Sequence, residues 1–152
     1  MAAGSEPELV VTREFDAPRA LIFRALTTQE HAAQWWGPQG FTTVSCRMDA
    51  RPGGTYRQAM RGPDGAVLTR RGAYREVTPE RIVFTYAWED DQGHPGHEML
   101  VTITLEELGE RTKLTLRQTG FESIPARDSH LTGWTSCMER FAAWLAASRE
   151  GI

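Results

Sequence analysis

The chain has 152 residues, of which 40% are hydrophobic and 24% charged, a composition typical of one folded domain and not of a disordered chain. Its net charge of −3 argues against general nucleic-acid binding, and no apolar run approaches the roughly 18 residues that a membrane-spanning helix needs. Cys46 and Cys137 are too few for a disulfide scaffold, and the N-terminus lacks a signal-peptide pattern. We therefore expect a cytoplasmic protein with reduced thiols.

The first segments in chain order are a tail and a strand. Residues 1–8 have no clear pattern and are interpreted as a flexible N-terminal tail, so that one domain is expected over residues 9–148. From Glu8 to Phe15, apolar side chains alternate with polar ones, which predicts the first strand.

Two short helices follow. Asp16 is placed to cap a helix whose first turn contains Pro18. Thr27 and Glu30 have the spacing of a capping box for a second helix, which Gly37 and Pro38 should end. Trp35 and Trp36 are adjacent, about 100° apart on a helix, so we expect one to plug the core or the cavity wall and the other to cover an edge or border an entrance.

Six strands are predicted between Phe41 and Gln118, because apolar and polar residues alternate there between short turns. In the first of them Val44, Cys46 and Met48 share one face; the clearest runs from Ile82 to Trp88. Short turns make successive strands antiparallel. Seven arginines and two aspartates between Arg47 and Arg75 give that segment a net charge of +5, a face that could hold an anion or a partner but is more simply the solvent side of the sheet.

The chain ends in an apolar stripe at helical spacing that predicts a helix of four to five turns: Leu131, Trp134, Cys137, Met138, Phe141, Trp144 and Leu145. This is the element with enough apolar surface to cover the sheet. The predicted fold is thus α+β, a curved antiparallel sheet of about seven strands wrapped around a long C-terminal helix, in the order β-α-α-β-β-β-β-β-β-α. Trp134, Met138 and Phe141 should contact the strands at Tyr56–Met60 and Ile82–Trp88.

Several segments carry a resemblance to a known family: Arg13-Glu14-Phe15-Asp16-Ala17-Pro18, Trp35-Trp36-Gly37-Pro38, Asp49-Ala50-Arg51-Pro52-Gly53-Gly54, Gly72-Ala73-Tyr74, Pro79-Glu80-Arg81-Ile82, Gly120-Phe121 and His130-Leu131-Thr132-Gly133-Trp134. Between about Glu8 and Ala147 the chain resembles the helix-grip superfamily, also called SRPBCC, START-like or Bet v 1-like. Within it the chain is most similar to the activator of heat shock protein 90 ATPase homologue-like family. The resemblance implies the helix-grip fold. It also implies a choice of activities, because superfamily relatives bind lipids, hormones and polyketides and some catalyse cyclisation.

Motifs for metal binding, cofactors or catalysis are weak. His94 and His97 lie in a Gly/Pro loop far in sequence from the other histidines, whereas zinc needs four ligands on a stiff frame. Cys46 and Cys137 fall in apolar patterns that keep a thiol protonated. The acidic run that begins at Glu89 lies in a hairpin loop and is expected to be solvated. We predict no metal, no cofactor and no catalytic residue.

The inward faces of the predicted strands and helix instead suggest a ligand cavity, lined by Tyr56, Gln58, Met60, Arg70, Tyr86, Trp88, Gln118, Trp134, Met138 and Phe141. Gln58, Arg70 and Gln118 are the polar members, each placed by strand alternation that a single bulge would reverse. Arg70 could orient an acidic ligand group, with Gly72 leaving room beside it. An internal structural pair or an outward arginine are the alternatives.

The leading hypothesis is a protein that binds a small hydrophobic or amphipathic molecule. It leaves open whether the ligand is anionic and whether the chain forms a homodimer, and it includes no nucleic acid and no insertion into a membrane. The alternatives are a cavity enzyme, similar to a polyketide cyclase or a hydrolase, and a chaperone-associated interaction module in the stress response, the latter by analogy with the eukaryotic co-chaperone that gives the family its name.

Overall fold

The computed structural model describes residues 7–148 and confirms the predicted order of elements. These are β1 (Glu8–Phe15), α1 (Arg19–Thr27), α2 (Gln29–Trp35), β2 (Thr42–Met48), β3 (Thr55–Arg61), β4 (Val67–Thr78), β5 (Arg81–Trp88), β6 (Met99–Leu108), β7 (Arg111–Thr119) and α3 (Ile124–Ser148). The predicted tail falls mostly outside the described residues, since residues 1–6 are not among them and Glu8 already begins β1. No helix in the described part of the chain is long and apolar enough to cross a membrane.

All seven strands form one antiparallel sheet in the order β1-β7-β6-β5-β4-β3-β2. β2 to β7 follow one another as neighbours, and β1 joins the far edge by pairing with β7, from Glu8 opposite Thr119 to Phe15 opposite Thr112. The curved sheet wraps around α3, as predicted, and the core lies between its inward face and that helix.

The helix starts differ from the predicted ones. Pro18 occupies the position before α1 with extended backbone, so Asp16 lies too early to cap the helix and instead approaches Arg111 at 3.9 Å. α2 begins after Thr28, and Thr27 is the last residue of α1, where its hydroxyl donates to the Phe23 carbonyl at 2.7 Å. The capping-box interpretation is therefore wrong, because the two helices are separated by one residue and Thr27 is used within the first.

A β-bulge changes the face assignment in β2. The register of β2 against β3 shifts between Thr43 and Ser45, which leaves Val44 outside the paired positions. Val44 is 51% exposed, contrary to the predicted inward face, and Thr43 points its hydroxyl at Gln58 instead. Such a bulge reverses alternation locally and carries no strong sequence signal.

α3 begins seven residues before the predicted stripe. Ser123 precedes it, and its hydroxyl accepts a hydrogen bond from the Ala126 amide at 3.2 Å, a typical N-cap contact. Pro125 lies in the first turn, where the absence of an amide hydrogen costs nothing. The serine–proline pattern was thus an available signal for the start of the helix.

The predicted contacts of α3 are met in part. The Trp134 ring lies 6.0 Å from the ring of Tyr86 in β5. Phe141 packs instead against Phe15 of β1 and against Trp35, with ring centroids 5.1 Å and 4.2 Å apart. The end of α2 accounts for the difference, because it fills space between α3 and the sheet that the prediction had assigned to β3.

Candidate functional site

A cavity of about 420 Å³ lies between the inward face of the sheet, the end of α2 and α3. Its lining is mostly apolar and aromatic, with few polar side chains: Trp36, Gly37, Pro38, Phe41, Met60, Leu68, Tyr86, Trp88, Ser129, His130, Gly133, Trp134 and Cys137. Leu68 is 44% exposed and lies where the cavity meets the solvent. The cavity therefore offers an apolar ligand a largely buried surface with an opening at the start of β4.

The predicted ligand-binding residues divide into two groups. Met60, Tyr86, Trp88 and Trp134 line the cavity. The others are buried in the surrounding core but are not lining residues: Tyr56, Gln58, Arg70, Gln118, Met138 and Phe141. The main contributors that sequence analysis missed come from the Trp36–Phe41 segment and from the first turns of α3, where loops and helix ends follow no alternation.

The adjacent tryptophans both point inward, so the expectation that they must diverge is wrong in part. α2 ends at Trp35, and Trp36 already has extended backbone, so the 100° helical offset does not separate them. Their rings stack at 4.9 Å. Trp35 is fully buried and fills the core, and Trp36, 5% exposed, forms one wall of the cavity.

Arg70 points inward, as strand alternation predicts, and only 2% of its surface is exposed. Its guanidinium lies in an aromatic cage formed by three rings, with its central carbon 3.9 Å from the centroid of Trp36, 4.9 Å from Tyr56 and 5.4 Å from Tyr86. Nε donates to Gln58 Oε1 at 2.8 Å. Nη1 has no hydrogen-bond partner among the described residues. The positive charge is thus stabilised mainly by ring faces and one amide.

The two inward glutamines are held by the protein itself. Gln58 Nε2 donates to the Thr43 hydroxyl at 3.1 Å, while its oxygen receives the bond from Arg70. Gln118 Oε1 accepts a hydrogen bond from the indole N–H of Trp134 at 2.7 Å. Gln118 therefore orients a cavity-wall residue and does not itself border the cavity.

Gly72 has a different role from the predicted one. A Cβ at this position would lie 1.9 Å from the carbonyl oxygen of Thr85 and 2.8 Å from the Tyr56 ring. The glycine therefore permits a close approach of backbone and ring and leaves no open space beside Arg70.

A hydrogen bond joins the sheet to α3 at the cavity wall. The indole N–H of Trp88 donates to His130 Nε2 at 2.9 Å, and His130 Nδ1 lies 2.9 Å from the carbonyl oxygen of Ala126. Because an indole only donates and a carbonyl only accepts, these contacts assign the donor role to Nδ1 and the acceptor role to Nε2. The Trp88–His130 pair thus fixes two cavity-wall rings relative to each other.

The tyrosines and the cysteine near the cavity stay protonated at neutral pH. Burial raises the pKa of Tyr86 to about 12, with the charge of Arg70 acting in the opposite direction. Burial also raises the pKa of the Cys137 thiol to about 11, although the thiol sulfur accepts a hydrogen bond from the Gly37 amide at 3.3 Å. Burial raises the pKa of Tyr56 as well, and the Tyr56 hydroxyl donates to the Thr85 carbonyl at 2.7 Å.

In the acidic run, which was expected to be solvated, the Glu89 side chain is buried in an ion pair. The Glu89 side chain is only 4% exposed and forms a two-point contact with Arg57, at 2.7 and 2.9 Å, with Arg71 at 3.6 Å. The Arg57 hydrogen bonds lower the pKa of Glu89 below its usual value. His94 and His97 are exposed. Within residues 7–148, no three His, Cys, Asp or Glu side chains come together as a metal site would need.

Comparisons with known proteins agree with this architecture. An AHSA1 protein from Silicibacter pomeroyi is 27% identical, with a TM-score of 0.87 over 93% of this chain and 99% of that one. A protein from Chromobacterium violaceum is 28% identical, with a TM-score of 0.78 over 90% of this chain and 96% of its own. One from Nitrosomonas europaea is 25% identical, with a TM-score of 0.80 over 96% and 98% of the two chains. No curated protein matches.

The model of one protein family, described as Activator of Hsp90 ATPase homolog 1-like protein, matches residues 16–146. That range holds Trp36 of the cavity wall, the Arg70 cage and almost all of α3. With the helix-grip fold and the cavity between sheet and helix in place, the chain belongs to the family of Activator of Hsp90 ATPase homolog 1-like proteins in the SRPBCC superfamily.

Proposed function

We propose that the protein binds a small, largely apolar molecule with an aromatic or other flat body in the cavity between the sheet and α3. The observation that supports this most directly is the cavity itself: about 420 Å³, with aromatic walls from Trp36, Tyr86, Trp88 and Trp134. Its volume lies within the range of about 300–1,000 Å³ that is typical of small-molecule sites. Few convergent polar groups face it, so shape and apolar contact would dominate affinity.

The enzyme alternative receives no comparable support. A nucleophile or general base at neutral pH needs a pKa near or below that pH. Burial shifts Tyr86 and Cys137 in the opposite direction, to about 12 and about 11. The interaction-module alternative rests on the family description alone, since the exposed apolar side chains lie scattered over several elements: Val10, Val44, Val67, Leu68, Leu108 and Ile124.

A thermal-shift screen against aromatic acids, lipids and polyketides tests the proposal. A compound that binds only the native state must raise the melting temperature, by a free energy that grows with its concentration relative to Kd. We expect at least one class of compact aromatic compound to do so. If every class leaves the melting temperature unchanged at concentrations up to its solubility, the proposal is wrong.

A matched pair of variants in α3 locates the binding. Gly133 lines the cavity, and a Cβ there would meet only Pro38, at 3.8 Å, so Gly133→Leu places its side chain in the open space. Thr132→Leu adds a leucine at the adjacent exposed position. The thermal shift should persist in Thr132→Leu and disappear in Gly133→Leu. An unchanged shift in Gly133→Leu would place the ligand outside the cavity.

A further inference from the structure

The aromatic cage around Arg70 contains an unused hydrogen-bond donor. The guanidinium is 2% exposed, Nη1 has no partner, and no carboxylate in the described part of the chain lies within ion-pair distance of it. Buried charges are normally paired, because removing a charge from water costs several kcal/mol. A planar guanidinium with a free donor is a suitable partner for the two coplanar oxygens of a carboxylate.

Two rings lie next to both the guanidinium and the cavity. Trp36 and Tyr86 both contact the guanidinium and both line the cavity, whereas Arg70 itself is not a lining residue. Trp36 is the nearer ring, with 3.9 Å between its centroid and the guanidinium carbon. Trp36 thus contacts both the open apolar space and the guanidinium that carries the unused donor.

Of the two rings, Trp36 is the one outside the sheet, although its amide donates to the Ala32 carbonyl at 3.0 Å and its carbonyl accepts from Gln58 Nε2 at 3.4 Å. Tyr86 lies within β5, where it is paired with Met99 of β6. Trp36 follows the last residue of α2, belongs to no strand, and precedes Gly37, whose φ of +114° is unfavourable for other residues. A change of side-chain angles at Trp36 would move its ring away from the guanidinium without breaking the sheet or these backbone hydrogen bonds.

We propose that Trp36 gates an anion subsite: a ligand with an aromatic body and a carboxylate displaces the Trp36 ring, and the carboxylate oxygens accept hydrogen bonds from Arg70. This rests on the proposed function, because the body of the ligand occupies the same cavity. Without ligand, the cation–π contact with Trp36 stabilises the guanidinium. A neutral ligand makes no stronger contact with Arg70 in the open state, so only an acid shifts the population toward it.

Nuclear magnetic resonance on the unmodified protein tests the gate, with naphthoate as the acidic probe and naphthamide as its neutral counterpart of nearly the same shape. The indole N–H signals of Trp88 and Trp134 report on occupation of the cavity, and the Arg70 Nε–H signal reports on the cage. Both probes should shift the two indole signals. Naphthoate alone should shift the Arg70 signal, because only the acid removes the Trp36 ring current from the guanidinium.

The possible results separate the two proposals. Indole shifts with both probes and no Arg70 shift with either would overturn the gate while leaving the cavity function intact. An Arg70 shift of equal size with both probes would also overturn it, since the acid group would then have no part in the opening. No shift of any of these signals with either probe would contradict the proposed function for aromatic ligands, and the gate with it.

Variants measure the contribution of the charge. Arg70→Met keeps much of the side-chain length and should weaken naphthoate by about tenfold to hundredfold, the range for hydrogen bonds to charged groups, while leaving naphthamide unchanged. Arg71→Met, on the exposed face of the same strand, should leave both affinities unchanged. Arg70→Leu also removes the charge and the donors, and it provides a second reading if Arg70→Met does not fold. Equal naphthoate affinity in wild type and in the folded Arg70 variant would overturn the proposal.

Discussion

Buried polar side chains in this protein satisfy their hydrogen-bonding needs to different extents. The side-chain oxygen of Gln118 accepts a hydrogen bond from the Trp134 indole. Gln58 is hydrogen-bonded to both Thr43 and Arg70. Two buried nitrogens have no partner among the described residues, Arg70 Nη1 and His31 Nδ1. Burial alone therefore does not distinguish a structural polar residue from a candidate ligand contact; an unused donor beside the rings of the cavity wall, as in Arg70, does.

Gln118→Leu should lower the free energy of unfolding by about 1–3 kcal/mol, the cost of leaving a buried donor unpaired, here the indole N–H of Trp134. Urea denaturation measures the change. Arg117→Leu, at the next, exposed position of β7, should change stability by less than about 0.5 kcal/mol. Equal effects of the two substitutions would show that the Trp134–Gln118 hydrogen bond contributes nothing measurable.

Two glycines should respond in opposite directions to the same substitution. In Gly72→Ala the new methyl would lie 1.9 Å from a backbone oxygen, so we expect a loss of stability above about 3 kcal/mol or failure to fold. In Gly133→Ala the nearest atom is 3.8 Å away within a helix, so we expect a gain of about 0.5–1 kcal/mol. Denaturation of both variants decides the matter, and a tolerated Gly72→Ala would show that β4 and β5 can separate at this point.

At the scale of elements, strand alternation predicted the sheet well, and loops and helix ends account for the errors. The inward positions of Tyr56, Arg70 and Tyr86 follow from a period of two that no bulge interrupts near them. Val44 was assigned to the wrong face because it is the unpaired residue of a bulge between Thr43 and Ser45. The wall formed by Trp36 was not foreseen because its orientation depends on where α2 ends, and capping patterns fix such a boundary only to within a few residues.

The contact between Glu89 and Arg57 joins the end of β5 to β3, and Arg71 of β4 lies beside it. The arginine holds the pKa of Glu89 below its usual value. A carboxyl with a lowered pKa in the folded state stabilises the fold above the unfolded-state pKa, about 4.3, and loses that contribution as the pH falls through its folded-state pKa.

Glu89→Gln should therefore reduce stability at neutral pH by at most about 1 kcal/mol, because the arginine partners are largely exposed. The difference from wild type should vanish in acid. Thermal melts at neutral pH and in a series from pH 4 down to about pH 2 follow the loss of this difference, with Asp91→Asn in the exposed part of the same loop as the control. A difference that persists unchanged in acid would exclude an ionic origin.

At the scale of the whole molecule, the fold was predictable because many weak patterns agree: seven alternating segments, a helical stripe and short connections. The site was predictable only in part. Met60, Tyr86, Trp88 and Trp134 lie on regular elements and were found from their faces, while the walls from Trp36 to Phe41 and at His130 depend on how α2 and α3 approach one another. Tertiary packing of that kind leaves no local period in the sequence.

The three tyrosines of the chain, Tyr56, Tyr74 and Tyr86, lie on neighbouring strands and connect the sheet to the core. Burial raises the pKa of all three in the folded state, Tyr86 to about 12. A raised pKa of an acid stabilises the fold fully below its unfolded-state pKa of about 10, and this contribution is lost as the pH rises above that value.

Phenolate absorbance should therefore appear late and together with unfolding. We expect the absorbance at the phenolate band and the far-ultraviolet circular dichroism to change in one cooperative step at a pH above 10, whereas the protein in concentrated guanidinium chloride should titrate near pH 10 without a step. Part of the phenolate signal rising near pH 10, with the circular dichroism unchanged, would show that a tyrosine is in contact with water in the folded protein. If the titrating residue is Tyr56 or Tyr86, such a result would mean that the aromatic cage around Arg70 opens to solvent without any ligand.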